Sequence, residues 1–411
     1  MTQRYDTYKD SGVQWLGEIP GHGGCVFINR LFNIKAGGDV KPELYADKKD
    51  ENHPFPVYTN TKSADDVYAY TSLATCPSNS ITVTGRGEVG HAIFRETPYD
   101  AIVRLLSLTP KSNIICKFYA YFIDTVIPFS SDSAAIGQLS AVQIKQKHVT
   151  LPPLSEQRSI VSFLDVKCGK IDEWVTKKQK EVEHLQELKQ RVIADAVTRG
   201  LNPHVKMKAT NIPWLKEIPE HWECVKLKMF CQDNKEKNKG NIESCVLSLS
   251  YGNIIVKKNV NFGLVPENYD SYQIVNPGNI ILRLTDLQND HKSLRTGLVK
   301  NRGIITSAYV GLIVKNMNSE YTQLILHSYD VMKVFYGMGG GLRQSMSYTD
   351  IANVYIPVPP LSEQKQIVSY LDTKTSQIDK LIAHITKEIE CIKEYKQRLI
   401  SDVVTGQIKV C

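Results

Sequence analysis

Pro152-Pro153-Leu154-Ser155-Glu156-Gln157 recurs letter for letter as Pro359-Pro360-Leu361-Ser362-Glu363-Gln364, 207 positions on (152 to 359). The likeness continues downstream. Ile160-Val161 answers Ile367-Val368, Leu164-Asp165 answers Leu371-Asp372, and Ile171-Asp172 answers Ile378-Asp379. Further on, Lys189, Arg191, Ile193, Asp195, Val197 and Thr198 answer Lys396, Arg398, Ile400, Asp402, Val404 and Thr405. A shorter echo lies upstream of each copy, Trp15-Leu16-Gly17-Glu18-Ile19-Pro20-Gly21-His22 against Trp214-Leu215-Lys216-Glu217-Ile218-Pro219-Glu220-His221, with Cys25-Val26 answering Cys224-Val225. Self-similarity at one long period marks a duplication, here a variable block of roughly 150 residues and a similar stretch of about 45, each used twice.

The repeated stretches carry the signals of helices. A proline pair ends the preceding strand, Ser155 and Ser362 are placed to cap free amides, and Glu156 and Glu363 set negative charge at the positive end of the helix dipole. Ile378, Ile382, Ile385, Ile389, Ile392, Lys396, Leu399 and Val403 then keep a 4-3 rhythm. Ile171, Val175, Lys178, Val182, Leu185, Lys189, Val192 and Ala196 keep it in the same register. Such a seam calls for a long partner helix. At 1.5 Å per residue each stretch is a rod of roughly 65 Å, longer than a domain of 150 residues is wide, so the two pair with each other rather than packing separately onto their own blocks.

The blocks between them read as mixed α and β. Ser80–Thr84, Ala101–Leu105, Asn279–Leu284 and Tyr309–Val314 are rich in β-branched residues and bounded by Gly, Pro and Asn, which predicts strands. Helical patterning is best at Ile114–Phe122 and Tyr321–Phe335. The reading is therefore an α+β chain in four segments: a first domain over 1–154, a helix over 155–200, a second domain over 201–361 and a second helix over 362–411.

Of 411 residues, 42% are apolar, enough for several cores and too many for a disordered chain. There is no apolar run of membrane-spanning length, and the opening MTQRYDTYKDSG is polar where a signal peptide is apolar, so a cytoplasmic protein is expected. Nine cysteines without a C-x-x-C pair suggest reduced thiols filling core space, and ten scattered histidines lack metal-ligand spacing. Gly85-Arg86-Gly87-Glu88-Val89-Gly90 fits G-x-G-x-x-G, but His91-Ala92-Ile93-Phe94 reads as a returning strand rather than a phosphate-binding helix. A glycine-bearing hairpin with Arg86 at its tip is the better reading. No P-loop occurs, and Leu151 and Val358 precede the proline pairs where an adenine methyltransferase has Asn or Asp.

Charge is uneven along the chain. Residues 1–154 hold 15 basic and 15 acidic side chains, whereas 201–361 hold 18 and 13, an excess of five that suits a polyanion. Lys257, Lys258, Arg283 and Arg295 are candidates for DNA contact there, with Tyr251, Tyr269 and Tyr272 interleaved. In Gly337-Met338-Gly339-Gly340-Gly341-Leu342-Arg343-Gln344-Ser345, the groups Arg343, Gln344 and Ser345 are suited to bases or phosphates. The first block is neutral and needs a local patch if it binds DNA at all.

Variable block, P-P-L-S-E-Q helix, second variable block and second such helix together resemble the specificity subunit of type I restriction-modification enzymes. The resemblance spans essentially the whole chain and extends to Pro277–Gln288 and to Leu342–Ser345 ahead of Ile356–Pro360; Gly23, where the second copy has Trp222, departs from it. It implies a pseudo-twofold object in which two target recognition domains each read half of a split double-stranded DNA sequence, and the helices form an antiparallel coiled coil. It also implies methyltransferase subunits, two of them, and restriction subunits as partners. S-adenosylmethionine, ATP and Mg would then be held by those partners, and this chain would have no catalytic centre or cofactor of its own. A lone enzyme, or a protein- or glycan-binding scaffold, are the competing readings, distinguished by catalysis from the purified chain or by lack of sequence-dependent retention on DNA.

Overall fold

Four helices organise the chain: α1 over Cys116–Thr125, α2 over Leu154–Arg199, α3 over Ser319–Val331 and α4 over Leu361–Val404. The computed structural model describes residues 4–129, 138–257, 268–289, 294–338 and 345–410. Contacts divide it into two units, Met1–Gln179 with Thr386–Cys411, and Lys180–Ile385. Each unit thus owns one variable block, one half of α2 and one half of α4.

The duplication runs deeper than the sequence. In the first unit a four-stranded antiparallel sheet has the order Phe32–Ala36, Leu106–Pro110, Ser80–Val83, Ala92–Arg95. In the second the order is Cys231–Asp233, Val310–Val314, Ile280–Leu282, Thr296–Leu298, the same connectivity built from different residues. α1 packs on the Ala92–Arg95 strand and α3 on the Thr296–Leu298 strand, again in corresponding places. A further antiparallel pair, Gly24–Phe27 with His148–Leu151, leads into α2, and Glu223–Lys226 with Tyr355–Val358 leads into α4.

Each core draws on both long helices. Leu399, Ile400, Val403 and Val404 of α4 join Ile160, Leu164 and Cys168 of α2 around Phe118, Tyr119 and Phe122 in the first unit. Ile193, Ala196 and Val197 of α2 join Ile367, Val368 and Leu371 of α4 around Trp222, Tyr321 and Tyr329 in the second. All sixteen positions of the seam are buried or half-buried, and Ile385, Ile389, Leu399 and Val403 of α4 are almost fully covered.

The lysines that interrupt the seam have partners. Lys396 Nζ donates to both carboxylate oxygens of Asp172 at 2.7 Å in the first unit, and Lys189 Nζ does the same with Asp379 at 2.7 Å in the second. The residue numbers of either pair add to 568, the constant sum that an antiparallel pairing in a single register requires. Each long helix stops against a glycine with positive φ, Gly200 at +75° and Gly406 at +80°, the backbone that terminates helices most cheaply in glycine.

Three sequence expectations are revised. The long helices begin at Leu154 and Leu361, so Ser155 and Ser362 lie inside the first turn rather than at the cap. The glutamines hold the helix start instead: Gln157 donates to Pro152 O at 2.9 Å and accepts from Ile115 N at 3.0 Å, and Gln364 donates to Pro359 O and accepts from Asn318 N, both at 2.9 Å. The run Ala101–Leu105 is not one strand: only Ala101 is in a strand, the short Asp100–Ala101 paired with Val57 and Tyr58, and Ile102 makes a single bridge to Gly38. Val103 and Arg104 take φ of +53° and +64°, which turns the chain, and the strand proper is Leu106–Pro110.

The second long helix ends at Val404, short of the expected 411, while the remaining expected strands lie in place. Strands occupy Ser80–Val83, Ile280–Leu282 and Val310–Val314, and Gly85–Gly90 is the connection of a hairpin whose return strand is Ala92–Arg95. Among the described residues the cysteines are free thiols, mostly buried or half-buried, and no helix is long and apolar enough to cross a membrane.

Candidate nucleic-acid interface

The neutral first block does carry a local cationic surface. A groove of 880 Å³ runs along the paired strands Phe32–Ala36 and Leu106–Pro110 and is lined by Arg30, Lys35, Lys41, Lys111 and Lys145, against the two carboxylates Asp39 and Asp100. Asp100 is already engaged, since it accepts from the hydroxyls of Tyr45 at 3.1 Å and of Thr75. Burial, and then the charge of Asp100, push the Tyr45 phenol up to about 12. A surface with five cations and one uncommitted anion attracts phosphate regardless of the block's overall neutrality.

Beside this groove the chain makes a second feature. Val103, a β-branched residue at positive φ, stands with Arg104 in a backbone region that costs each of them of order 1 kcal/mol or more. Their turn is clamped: Val103 N donates to Gly38 O at 2.8 Å, and Asn60 Nδ2 donates to Val103 O at 2.7 Å. The Asn60 side-chain oxygen in turn accepts from the amides of Gly85 at 2.7 Å and Arg86 at 3.2 Å, so one asparagine ties the strained turn to the hairpin. A Cβ on Gly85 would sit 2.7 Å from Arg104 O, so only glycine lets the two backbones touch. Arg86 and Arg104 are both exposed at this junction. Sequence reasoning picked out Arg86. It missed Arg104 and Asn60, because Arg104 looked like an ordinary strand residue and a lone Asn gives no signal.

In the second unit the candidates separate. Arg295 is fully buried: its guanidinium donates to the carbonyls of Arg283, Thr285 and Asp286 at 3.0, 2.8 and 3.2 Å and to the hydroxyl of Tyr336 at 3.0 Å. It has no surface to offer DNA, and its role is to hold the turn after Leu282. Arg283 is half-buried, and Lys257 and Ser345 are exposed. Lys258, Arg343 and Gln344 lie outside the described residues.

Three other cations in this block are engaged by the protein itself. Arg302 pairs with Glu243 at 3.2 Å, Lys206 with Glu220 at 2.9 Å, and Lys208 donates to the carbonyls of Glu220 and Trp222. Lys235, Lys237 and Lys239 remain exposed on one loop, which is braced by Asn238 N donating to Tyr272 O at 2.9 Å and by Asp270 accepting from Gly240 N at 2.9 Å. Tyr269 and Tyr272 meet edge to face behind that loop, with ring centroids 5.0 Å apart. Among the described residues no cluster of three or more His, Cys, Asp or Glu is placed to hold a metal ion.

A family model described as type I restriction modification DNA specificity domain matches residues 26–184 and again 219–391. The putative type I restriction enzyme MjaX specificity subunit of Methanocaldococcus jannaschii is 27% identical over 326 residues, covering 75% of this chain and 72% of that protein. The type I restriction enzyme MjaVIII specificity subunit of the same organism is 25% identical over 327 residues, covering 74% and 73%. Among solved structures, a chain from a description of complex assembly and conformational transition of the type I R-M system is similar in fold, with a TM-score of 0.67 over 94% of this chain and 98% of that one at 13% identity.

Proposed function

The chain belongs to the type I restriction-modification DNA specificity family, and from that premise we propose that it reads a split, asymmetric double-stranded target, one half through each unit. Specificity subunits are non-catalytic DNA-recognition components that act in complexes with methyltransferase and restriction subunits. In the proposed assembly this chain directs two methyltransferase subunits and the restriction subunits to its target. S-adenosylmethionine, ATP and Mg are then handled by those partners.

One observation carries the split-target reading. Both units have the same sheet order and the same helix-start constellation, yet their exposed faces differ. The first offers the cationic groove and the Arg86–Arg104 junction; the second offers the lysine loop at 235–239 and a hairpin at Leu247–Val256 whose tip is exposed. A shared scaffold with divergent surfaces suits an object that must read two unlike half-sites.

The test is to map modified bases in cells carrying this chain with its methyltransferase subunit, then to replace residues 201–355 by the corresponding block of a relative. The expected result is a two-part motif of which one part changes and the other stays. A swap that altered both parts would refute independent reading, and a continuous motif would refute the split target.

A further inference from the structure

The hairpin Leu247–Ser250 and Asn253–Val256 turns through only two residues, Tyr251 and Gly252, with φ of +46° and +78°. Positive φ at both places is the type I′ geometry, whose first position is ordinarily Asn, Asp or Gly. An aromatic residue there is held in a strained backbone. Packing does not compensate, because Tyr251 is 85% exposed. The body of the hairpin, by contrast, is anchored: a Cβ on Gly297 would meet Leu249 and Ile254 at 2.7 and 2.9 Å, and one on Gly252 would meet Leu294 at 3.3 Å. A fixed two-stranded ribbon therefore holds a strained aromatic ring out in solvent.

The surroundings favour a polyanion as its occupant. Ser248, Ser250 and Asn253 flank the tip, Lys257 is exposed immediately after the second strand, and residues 244–266 contain no carboxylate. The shape agrees, since paired strands about 4.8 Å apart make a ribbon that the DNA major groove, about 12 Å wide, admits tip first.

Resting on the recognition reading above, we infer that this hairpin enters the major groove of one half-site and that the Tyr251 ring packs against base edges there, its hydroxyl free to donate to a base or phosphate. Tyr251 is then a specificity-determining contact of the second unit, and the strained turn is retained for DNA rather than for the fold.

The experiment uses the full chain assembled with its methyltransferase subunits and two duplexes, one carrying the motif mapped by modified-base sequencing and one with that motif scrambled. Tyr251→Asn is expected to weaken binding to the mapped duplex roughly tenfold or more. It should leave the salt dependence of binding unchanged, since no phosphate contact by a cation is lost. It should also raise the melting temperature by roughly 2 °C, because Asn accepts positive φ. Tyr251→Phe separates ring from hydroxyl, and a loss smaller than that of Tyr251→Asn is expected. Binding by Tyr251→Asn within twofold of wild type would overturn the inference, as would a lowered melting temperature or a failure of that variant to assemble, either of which gives the ring a structural or protein-docking role. If the wild-type complex showed no preference for the mapped duplex, the recognition reading itself would fall, an outcome distinct from wild-type preference with undiminished variant binding.

Discussion

Tyr5 stands in the first unit where Trp222 stands in the second. Trp222 Nε1 donates to Glu363 Oε2 at 3.0 Å, and Tyr5 donates its hydroxyl to the equivalent Glu156. The neighbouring histidines complete the match, His221 at 2.9 Å from Glu363 and His22 at 2.8 Å from Glu156. Gly23 occupies the tryptophan's place in the first copy, and a ring arriving from a different part of the chain takes over the contact but only part of the space: Trp222 lies 3.1 Å from where a Cβ on Gly200 would sit, whereas at Gly406 Pro20 comes closest and Tyr5 lies behind at 3.7 Å.

These rings should differ in what they support. Trp222→Ala removes a fully buried side chain and is expected to cost about 3 to 5 kcal/mol. Tyr5→Phe keeps its ring and loses a hydrogen bond to a carboxylate, which should cost about 1 to 2 kcal/mol. Hydrogen exchange read at amides near Glu363 for the first variant and near Glu156 for the second checks both figures. Equal protection losses would show that the Tyr5 hydroxyl contact to Glu156 supports its unit as much as the whole buried tryptophan ring supports the other.

The seam lysines set register more than stability. Side chains of Lys396 and Asp172 are 26% and 61% exposed, so solvent screens the pair and its coupling should be about 0.5 to 1 kcal/mol. Asp172→Lys and Lys396→Asp, each alone, should lower the melting temperature, and the double variant should recover most of the loss. A double variant no better than the sum of the singles would mean that the pair does not couple.

His327 of α3 is buried, with Gln190 of α2 at 3.2 Å, and burial followed by the charge of Lys189 lowers its pKa from 6.5 to about 4. The imidazole is neutral when folded. Unfolding lets it take a proton at mildly acid pH, so its stabilising share is complete above pH 6.5 and is lost as pH falls towards about 4. The full loss is about 3 kcal/mol. His327→Gln, which keeps a donor towards Gln190, should flatten the fall in melting temperature across that window. An unchanged slope would remove His327 as its source.

Arg295 and Arg86 should separate cleanly under mutation. Arg295→Ala deprives three carbonyls of a buried donor and should destabilise the second unit by about 2 to 4 kcal/mol. Arg86→Ala, on an exposed side chain, should leave stability within about 0.5 kcal/mol of wild type while reducing affinity for DNA. If its contact is to phosphate, the salt slope of binding falls by about one. Unimpaired DNA binding by Arg86→Ala would exclude the hairpin tip from the interface.

The helix seam was legible because a 4-3 rhythm of Ile, Leu and Val over many turns is satisfied by little but a long paired helix, and the duplicated P-P-L-S-E-Q marked where each rod begins. The positions were readable but not all the roles. Lys189 and Lys396 looked like interruptions, since their carboxylate partners sit on the other helix at a separation only the paired register reveals. Arg295 counted towards a basic face because composition records charge and not burial. Val103 and Arg104 passed for strand, as β-branched and long side chains suit a strand and nothing local marks a residue forced to positive φ by Gly38 and Asn60. The substitute for Trp222 was invisible for a plainer reason: Tyr5 lies outside the repeated phrase.

The division of the long helices between the units has a consequence for biosynthesis. The second unit is one continuous segment, Lys180–Ile385, whereas the first takes residues from both sides of that segment. A ribosome therefore delivers everything the second unit needs before it delivers Leu399, Ile400, Val403 and Val404, the residues on which the first core closes. At about 5 to 20 residues per second, the 19 positions from 386 to Val404 keep that core open for roughly one to four seconds after the second unit is complete. During this interval the unit synthesised first is the one still exposed to chaperones and proteases, and a chain broken anywhere in that stretch would leave it permanently unclosed beside a finished neighbour.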